Sequence, residues 1–185
     1  MSHYHTARER RANGERRGGR MGDDERQAAE FLGRLQKLRQ HSFAGRRTLH
    51  KPLLILYVLG RLKDHGIGTV RYSEAKRMIE PLLQRYGPPG TRARVADPFA
   101  RLEGDGIWTL ISNDRAALFD AGGNARPGAL HLQDPLAGFD HATQDLLGRT
   151  PALIDEAARL LLDANFTPDT HKEVLRDVGL RIDTP

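Results

Sequence analysis

The sequence predicts a mainly α-helical domain with a small β-hairpin, which makes the fold class α+β. Apolar residues recur at helical spacing through most of residues 23–86 and again through 141–178. Between these regions, residues 107–111 and 129–132 are short apolar stretches that fit two strands, and a long Gly-rich loop joins them. Two short strands that follow a set of helices indicate a winged-helix-like arrangement.

The first two helices are predicted from spacing and from their ends. Residues 23–41 place acidic residues in the first turn and basic residues in the last, and Phe31 and Leu35 fall on one helical face. A second helix should begin near Pro52, since proline suits the first turn of a helix. Residues 53–59 are apolar throughout, so this helix should be buried on most sides.

The remaining helices and the domain boundaries follow from proline positions and composition. Helices are predicted over residues 72–87, 141–147, 150–164 and 168–178, and a helical turn near residues 98–106. Residues 1–21 are rich in Arg and Gly with little to bury, so they predict a disordered arm. We expect one domain over residues 22–180, with residues 181–185 as the start of a linker.

Composition limits the cellular context of the chain. It has no cysteine, which excludes disulfides, thiolate metal sites and a cysteine nucleophile. No apolar run approaches the roughly 20 residues that span a bilayer. The N-terminus is charged and has no apolar segment of the kind that secretory signals carry. These observations predict a cytoplasmic protein.

Charge is distributed unevenly along the chain. The formal net charge is +5, and residues 31–63 contain eight Lys and Arg residues and no acidic residue. Residues 134–185 contain ten acidic against five basic residues. A basic stripe is the expected footprint of a polyanion such as nucleic acid. A solvated helix face with uneven charges is the alternative interpretation.

One candidate anion site lies where the basic region meets the apolar helix. His50 and Lys51 precede Pro52, with Arg46 and Arg47 a few residues upstream. A helix N-terminus beside a lysine and an imidazole can bind phosphate. A helix start with basic neighbours by chance would produce the same pattern.

Signatures of enzymes are absent from the sequence. There is no GxxxxGK[ST], GxSxG or HExxH motif, and the histidines are scattered. Pairs of carboxylates such as Asp155 and Glu156 stand at predicted helix starts, where compensation of the helix dipole explains them. We therefore predict no catalytic residue, metal or cofactor.

Three segments together resemble a known family. "LHKPLLILYVLGRL" (49–62), "ADPFARLEGDGIWTL" (96–110) and "EAARLLLDANFTPDTHKEVLRDVGL" (156–180) occur in the order in which similar segments occur in the sulfur-binding domain of McrA-type, phosphorothioate-dependent (type IV) restriction endonucleases. The resemblance covers roughly residues 30–180. It implies sequence-dependent binding of double-stranded DNA in which sulfur replaces one non-bridging phosphate oxygen.

The resemblance also implies site residues. The pocket that binds the phosphorothioate would comprise His50, Lys51, Asp97, Pro98 and Arg101. The loop between the two predicted strands would read DNA bases through Gly123, Asn124, Ala125 and Arg126. Arg46, Arg47, Arg92 and Arg94 are the expected contacts to the DNA backbone.

Physical chemistry supports such a pocket independently of the resemblance. Sulfur is larger, softer and a poorer hydrogen-bond acceptor than oxygen, so it should prefer apolar surface such as the Pro98 ring and the aliphatic stem of Lys51. One apolar contact contributes roughly 1–3 kcal/mol, or about 10- to 200-fold in selectivity. We expect that preference to act on a large, salt-dependent background of phosphate binding.

Two departures from the family pattern stand out. Asp97 occupies the position of a tyrosine, and a carboxylate would repel the phosphorothioate unless it turned away. We expect Asp97 to point outward and cap the following turn while Pro98 faces the sulfur. The family's HNH nuclease pattern is also absent from this sequence, so we expect a recognition domain that does not itself cut DNA and that is fused to an HNH nuclease domain in the full-length protein.

Three other functions are open from the sequence alone. A winged-helix regulator would bind unmodified DNA with the same basic region. An interaction domain would dock a partner on its acidic C-terminal helices. A nuclease would need catalytic residues that the sequence does not display.

Overall fold

Helix α2, His50–His65, forms the centre of the computed structural model. Every residue from Pro52 to Gly60 is buried, as the unbroken apolar run predicts. The helix ends at Gly66, whose positive φ of 69° suits glycine. Several other helices and one strand contact α2. The core is therefore organised around the helix whose first turn carries His50 and Lys51.

The structure describes residues 22–40, 42–43, 46–90 and 92–182, without the side chains of 42–43 and 46–47. Helix α1 covers residues 22–36. The other helices are α2, α3 (Tyr72–Tyr86), α4 (Ala96–Arg101), α5 (Pro127–Gln133), α6 (His141–Arg149), α7 (Pro151–Asn165) and α8 (His171–Asp177). Short 3₁₀ turns cover Leu102–Asp105, Ala116–Leu118 and Pro168–Thr170.

The strands form two small antiparallel sheets. Strands β1 (Ser42–Phe43) and β2 (Arg46–Arg47) pair with each other in the segment before α2. Strand β5 (Leu136–Gly138) lies between β3 (Thr69–Arg71) and β4 (Thr109–Ile111). The predicted α+β class with a mainly α-helical fold is confirmed, and the small β element is a three-stranded antiparallel sheet.

The predicted hairpin is wrong in its second strand. Residues 129–132 belong to helix α5, and β4 pairs with β5 instead. Pro127 is the first residue of α5, where its fixed φ favours a helix, and a short apolar stretch alone does not distinguish helix from strand. Within the helix Leu130 is buried, while Leu132 is exposed. The winged-helix-like description depended on that hairpin and is not confirmed.

A series of aromatic rings connects the elements behind α4. Phe31 meets Phe139 edge to face at 5.9 Å, and Phe139 meets Trp108 at 6.2 Å. Trp108 contacts Phe99 at 6.1 Å, and Phe99 contacts Tyr72 at 5.3 Å. Edge-to-face packing is a favoured geometry for such rings. Phe99 and Trp108 are buried, and this packing of rings fixes α4 against α1, α3 and the sheet.

Close packing within the sheet depends on a glycine. A Cβ atom on Gly138 would lie 2.1 Å from the carbonyl oxygen of Gly68. The carbonyl belongs to the backbone of the adjacent segment, so it has little freedom to move away.

None of the helices in the described ranges is long and apolar enough to span a membrane. The predicted arm at residues 1–21 lies outside the described residues.

Candidate nucleic-acid interface

A cleft of about 930 Å³ opens beside the first turn of α2, the segment 92–94 and helix α4. Its apolar and basic lining comes from segments that are distant in sequence. The lining residues are Arg39, Gln40, Thr48, His50, Lys51, Arg92, Arg94, Asp97, Pro98, Arg101, Gly104, Asp105 and Asn124.

The structure brings the predicted pocket residues together. All five residues that the resemblance implied for the phosphorothioate pocket line the cleft: His50, Lys51, Asp97, Pro98 and Arg101. Arg92, Arg94 and Asn124 line it as well, whereas Gly123, Ala125 and Arg126 do not. The backbone of Arg46 and Arg47 forms β2, and their side chains lie outside the described structure.

The ammonium group of Lys51 makes an ion pair at the base of the cleft. Its Nζ lies 2.5 Å from Oδ2 of Asp105, and the exposed fractions of the two side chains are 13% and 3%. Arg39 donates from Nε to Oδ1 of Asp105 at 3.3 Å and from Nη2 to the carbonyl of Gly104 at 2.6 Å. A cation from α2 and one from the segment after α1 therefore converge on one buried carboxylate.

His50 links the start of α2 to the arginine-rich segment. Its Nε2 lies 2.9 Å from the carbonyl oxygen of Arg92, which can only accept, so the ring donates there. The helix begins after Leu49, and no side chain caps it. The imidazole thus holds the backbone of Arg92 at the rim beside the helix N-terminus, which is a favourable environment for an anion.

Asp97 lies on the first turn of α4, but its side chain does not cap that helix. Oδ1 of Asp97 accepts the backbone N–H of Ala125 at 3.1 Å and lies 3.6 Å from Nε of Arg101. The carboxylate is 55% exposed, and its hydrogen-bond donor is in a distant loop. The expected capping of the following turn is therefore wrong, since Asp97 connects α4 to the loop before α5.

The loop at residues 119–126 is ordered around Asp120. Oδ1 of Asp120 accepts the backbone N–H groups of Gly122 at 2.9 Å and Asn124 at 2.8 Å. The hydrogen bonds from Asn124, first from its backbone and then from its side chain, lower the pKa of the Asp120 carboxyl group. Gly123 has a φ of 74°, which suits a glycine in this tight loop. The side chain of Asn124 also accepts from Nη2 of Arg101 at 2.8 Å, so loop and cleft are joined twice.

The lining of the cleft is basic overall. In the described part of the chain it includes five Lys and Arg residues and two Asp residues, with His50 at the rim. Pro98 is half-buried and contributes apolar surface beside these charges. The arrangement can bind an anion that combines negative charge with a soft, apolar face. No group of three or more His, Asp or Glu residues in the described ranges is arranged to hold a metal ion.

Sequence reasoning missed Arg39, Gln40 and Asp105. Arg39 is one of the eight basic residues of the stretch 31–63, and Asp105 lies within the predicted helical turn near residues 98–106. Their contact joins residues 66 positions apart, and no local spacing predicts it.

Comparison with protein families identifies one match. The ScoMcrA-like DNA sulfur-binding domain family matches residues 28–183. No match was found among curated protein sequences. The matched family is a DNA-binding domain.

Solved structures show the same fold. The sulfur-binding domain of SprMcrA complexed with phosphorothioated DNA has a TM-score of 0.68 at 26% identity, covering 83% of this chain and 94% of that one. The sulfur-binding domain of ScoMcrA complexed with phosphorothioated DNA has a TM-score of 0.67 at 24% identity, covering 81% and 95%. The type IV phosphorothioation-dependent restriction endonuclease ScoMcrA has a TM-score of 0.67 at 24% identity, covering 80% of this chain and 32% of that one.

Proposed function

Because the chain belongs to the ScoMcrA-like DNA sulfur-binding domain family, we propose that it binds double-stranded DNA carrying a phosphorothioate. The observation that carries the proposal is the basic cleft, which is lined by His50, Lys51 and Pro98, three of the residues that the resemblance implied. Family membership favours this function over a winged-helix regulator of unmodified DNA. The chain would serve as the targeting module of a restriction endonuclease, as in the larger relative.

The proposed sulfur contact is the ring of Pro98 together with the methylene stem of Lys51. Both residues line the cleft, and both are partly withdrawn from solvent. A soft sulfur atom gains more from such surface than an oxygen atom, which loses its hydrogen bonds to water there. The Lys51 stem can serve this purpose while its ammonium group remains paired with Asp105.

The proposed contacts to the phosphate charge are His50, Arg92, Arg94 and Arg101, with Arg46 and Arg47 on the adjacent hairpin. Arg92 and Arg94 are exposed at the rim of the cleft. Contacts of this kind orient a protein on the duplex and supply salt-dependent affinity, but they carry no sequence information.

The proposed base-reading segment is Gly123–Asn124–Ala125–Arg126, which precedes α5. Two hydrogen bonds support its position beside the cleft: the backbone N–H of Ala125 donates to Asp97, and Arg101 donates to the side chain of Asn124. An arginine in the major groove most often contacts guanine through two hydrogen bonds. We assign Arg126 that role, with the small residues allowing close approach to the duplex.

The proposal includes the domain division and the location. Residues 22–180 would form the binding domain, residues 1–21 a basic arm that adds phosphate affinity, and residues 181–185 a linker start. The protein would act in the cytoplasm, where modified DNA is present, with no cofactor.

A binding titration tests the function. Duplexes of identical sequence, with and without one phosphorothioate, would be titrated at fixed salt, and the bases flanking the sulfur would then be varied. We expect a preference for sulfur of about 10- to 200-fold that depends on the flanking bases. Equal affinity for modified and unmodified duplexes would contradict the proposal and favour a regulator of ordinary DNA.

A further inference from the structure

Asp105 is a carboxylate at the base of a cleft that is otherwise suited to an anion. Its side chain is only 3% exposed, and it lies 2.5 Å from Nζ of Lys51. It also accepts from Arg39, but that arginine side chain is 78% exposed, so solvent screens its charge. Lys51 is therefore the main counterion, and Asp105 balances the charge of the cation that lies deepest in the cleft.

We propose that Asp105 is a positioning residue that sets sulfur selectivity by holding the Lys51 ammonium group away from the bound phosphate. The inference rests on the proposed function and adds a residue that the resemblance did not imply. With Nζ bound to Asp105, the cleft presents the methylene stem of Lys51, and much of the ammonium charge is balanced before any DNA arrives.

The selectivity follows from the difference between the two acceptors. A lysine ammonium is a compact, strongly hydrated charge that forms its best hydrogen bonds with oxygen. If Lys51 were unpaired, it would strengthen the binding of an ordinary phosphate more than that of a phosphorothioate. Asp105 suppresses this contact, so an ordinary phosphate gains little affinity from the Lys51 ammonium group. The cost of two buried charges is reduced because they are paired with each other.

The Asp105→Asn variant tests this role. Freeing Lys51 should raise the affinity for unmodified duplex by about tenfold and that for modified duplex by less, so that the ratio of the two affinities falls. The slope of log affinity against log salt for the unmodified duplex should steepen by about 0.9, as expected for one additional phosphate contact. A purely structural role would instead weaken binding of both duplexes with no change in their ratio, and that result would overturn the proposal.

Two further variants test the proposal without relying on Asp105→Asn alone. Lys51→Met keeps an apolar stem but leaves Asp105 without its main counterion, so it should weaken binding of both duplexes while keeping the ratio of their affinities. The double variant of Lys51→Met and Asp105→Asn should restore the ratio that Asp105→Asn alone lowers, to within about twofold of the unsubstituted protein. Loss of the preference in Lys51→Met, or failure of the double variant to restore the ratio, would contradict the proposal even if Asp105→Asn alone did not fold.

Asp155→Asn is the matched control. Asp155 on α7 pairs with Lys63 on α2 at 2.5 Å, and neither residue lines the cleft. This substitution also breaks a partly buried ion pair, but it should leave both the affinity ratio and the salt slope unchanged. A different result would contradict the proposed function itself: equal binding of modified and unmodified duplexes by the unsubstituted protein and by every variant, including this control.

Discussion

The backbone N–H of Ala125 donates to Oδ1 of Asp97 across 3.1 Å, which joins the loop before α5 to the first turn of α4. Arg101 makes a second link one helical turn later, through the side chain of Asn124. The aspartate that replaces a tyrosine of the family pattern therefore has a role that does not require contact with sulfur. The proposed base-reading segment and the proposed sulfur pocket are coupled through it.

Pro98 and Asp97 should affect binding differently. Pro98→Ala should lower the sulfur preference by about tenfold, because it removes apolar surface beside the sulfur. Asp97→Ala should keep that preference but weaken the discrimination among flanking bases, because it releases Ala125. Titration of modified and unmodified duplexes with each variant would measure both effects. The division of roles would be refuted by equal losses of sulfur preference in the two variants.

Substitutions of Arg126 and Arg94 should have different effects, because Arg126 is assigned to base readout and Arg94 to phosphate binding. Arg126→Ala should lose about 1–3 kcal/mol of preference at one base position, since it removes the side chain assigned to a base edge. Arg94→Ala should weaken binding to all sequences and reduce the salt slope by about 1. Titrations across sequences and salt concentrations would distinguish the two patterns. Lys76→Ala, which changes an exposed residue of α3 outside the cleft, is the control expected to do neither.

Tyr86 should make stability dependent on alkaline pH. Burial, and then the hydrogen bond that its hydroxyl donates to Asp177 at 2.7 Å, raise the pKa of Tyr86 to about 12. The folded-state pKa lies above the unfolded value near 10. The stabilisation that the protonated Tyr86 hydroxyl provides is therefore complete below pH 10 and is lost as pH rises through 12.

The Tyr86→Phe variant measures that contribution. It should be less stable than the unsubstituted protein by about 1 kcal/mol at neutral pH, since it removes one donor from Asp177, which still accepts from Arg85 and Arg176. The difference should shrink between pH 10 and 12, as followed by chemical denaturation at several pH values. A difference that stayed constant through this range would contradict the assignment.

Gly138 should be the more sensitive of two glycines. Gly138→Ala should destabilise the fold by more than about 2 kcal/mol, because its Cβ would collide with the backbone of Gly68. Gly148→Ala in α6 meets no atom within 4 Å and should stabilise by about 0.5–1 kcal/mol through helix propensity. Thermal unfolding of both variants would give the comparison. Similar unfolding temperatures would show that the sheet can move to accept the methyl group.

The sequence predicts features that local pattern determines. Pro52 and the apolar residues after it predict the start and the burial of α2, because proline geometry and hydrophobicity act within one helix. The prediction of the second strand is wrong because a stretch as short as residues 129–132 has no periodicity that distinguishes a strand from a helix, and Pro127 favours a helix. The strand that pairs with β4 instead contains Gly138 and has only three residues, so its pattern is weak.

The sequence predicts the site residues that lie in contiguous motifs. It does not predict the contacts between residues that are distant in sequence. His50, Lys51 and Pro98 lie within segments whose resemblance to a family is visible in sequence. The contacts of Asp105 with Lys51 and of Asp97 with Ala125 join residues 54 and 28 positions apart. Such pairs are fixed by the packing of α4 against α2 and against the loop before α5, which no spacing rule encodes.

The position of Trp108 gives the protein a built-in optical signal. It is the single tryptophan of the chain, it is 3% exposed, and its ring touches Phe99, the residue after Pro98. Its indole Nε1 is buried and has no hydrogen-bond partner among the described residues, an environment in which indole emits at short wavelength. All tryptophan fluorescence of residues 1–185 therefore originates directly behind the proposed sulfur contact, and DNA that shifts α4 would change its intensity without any attached dye.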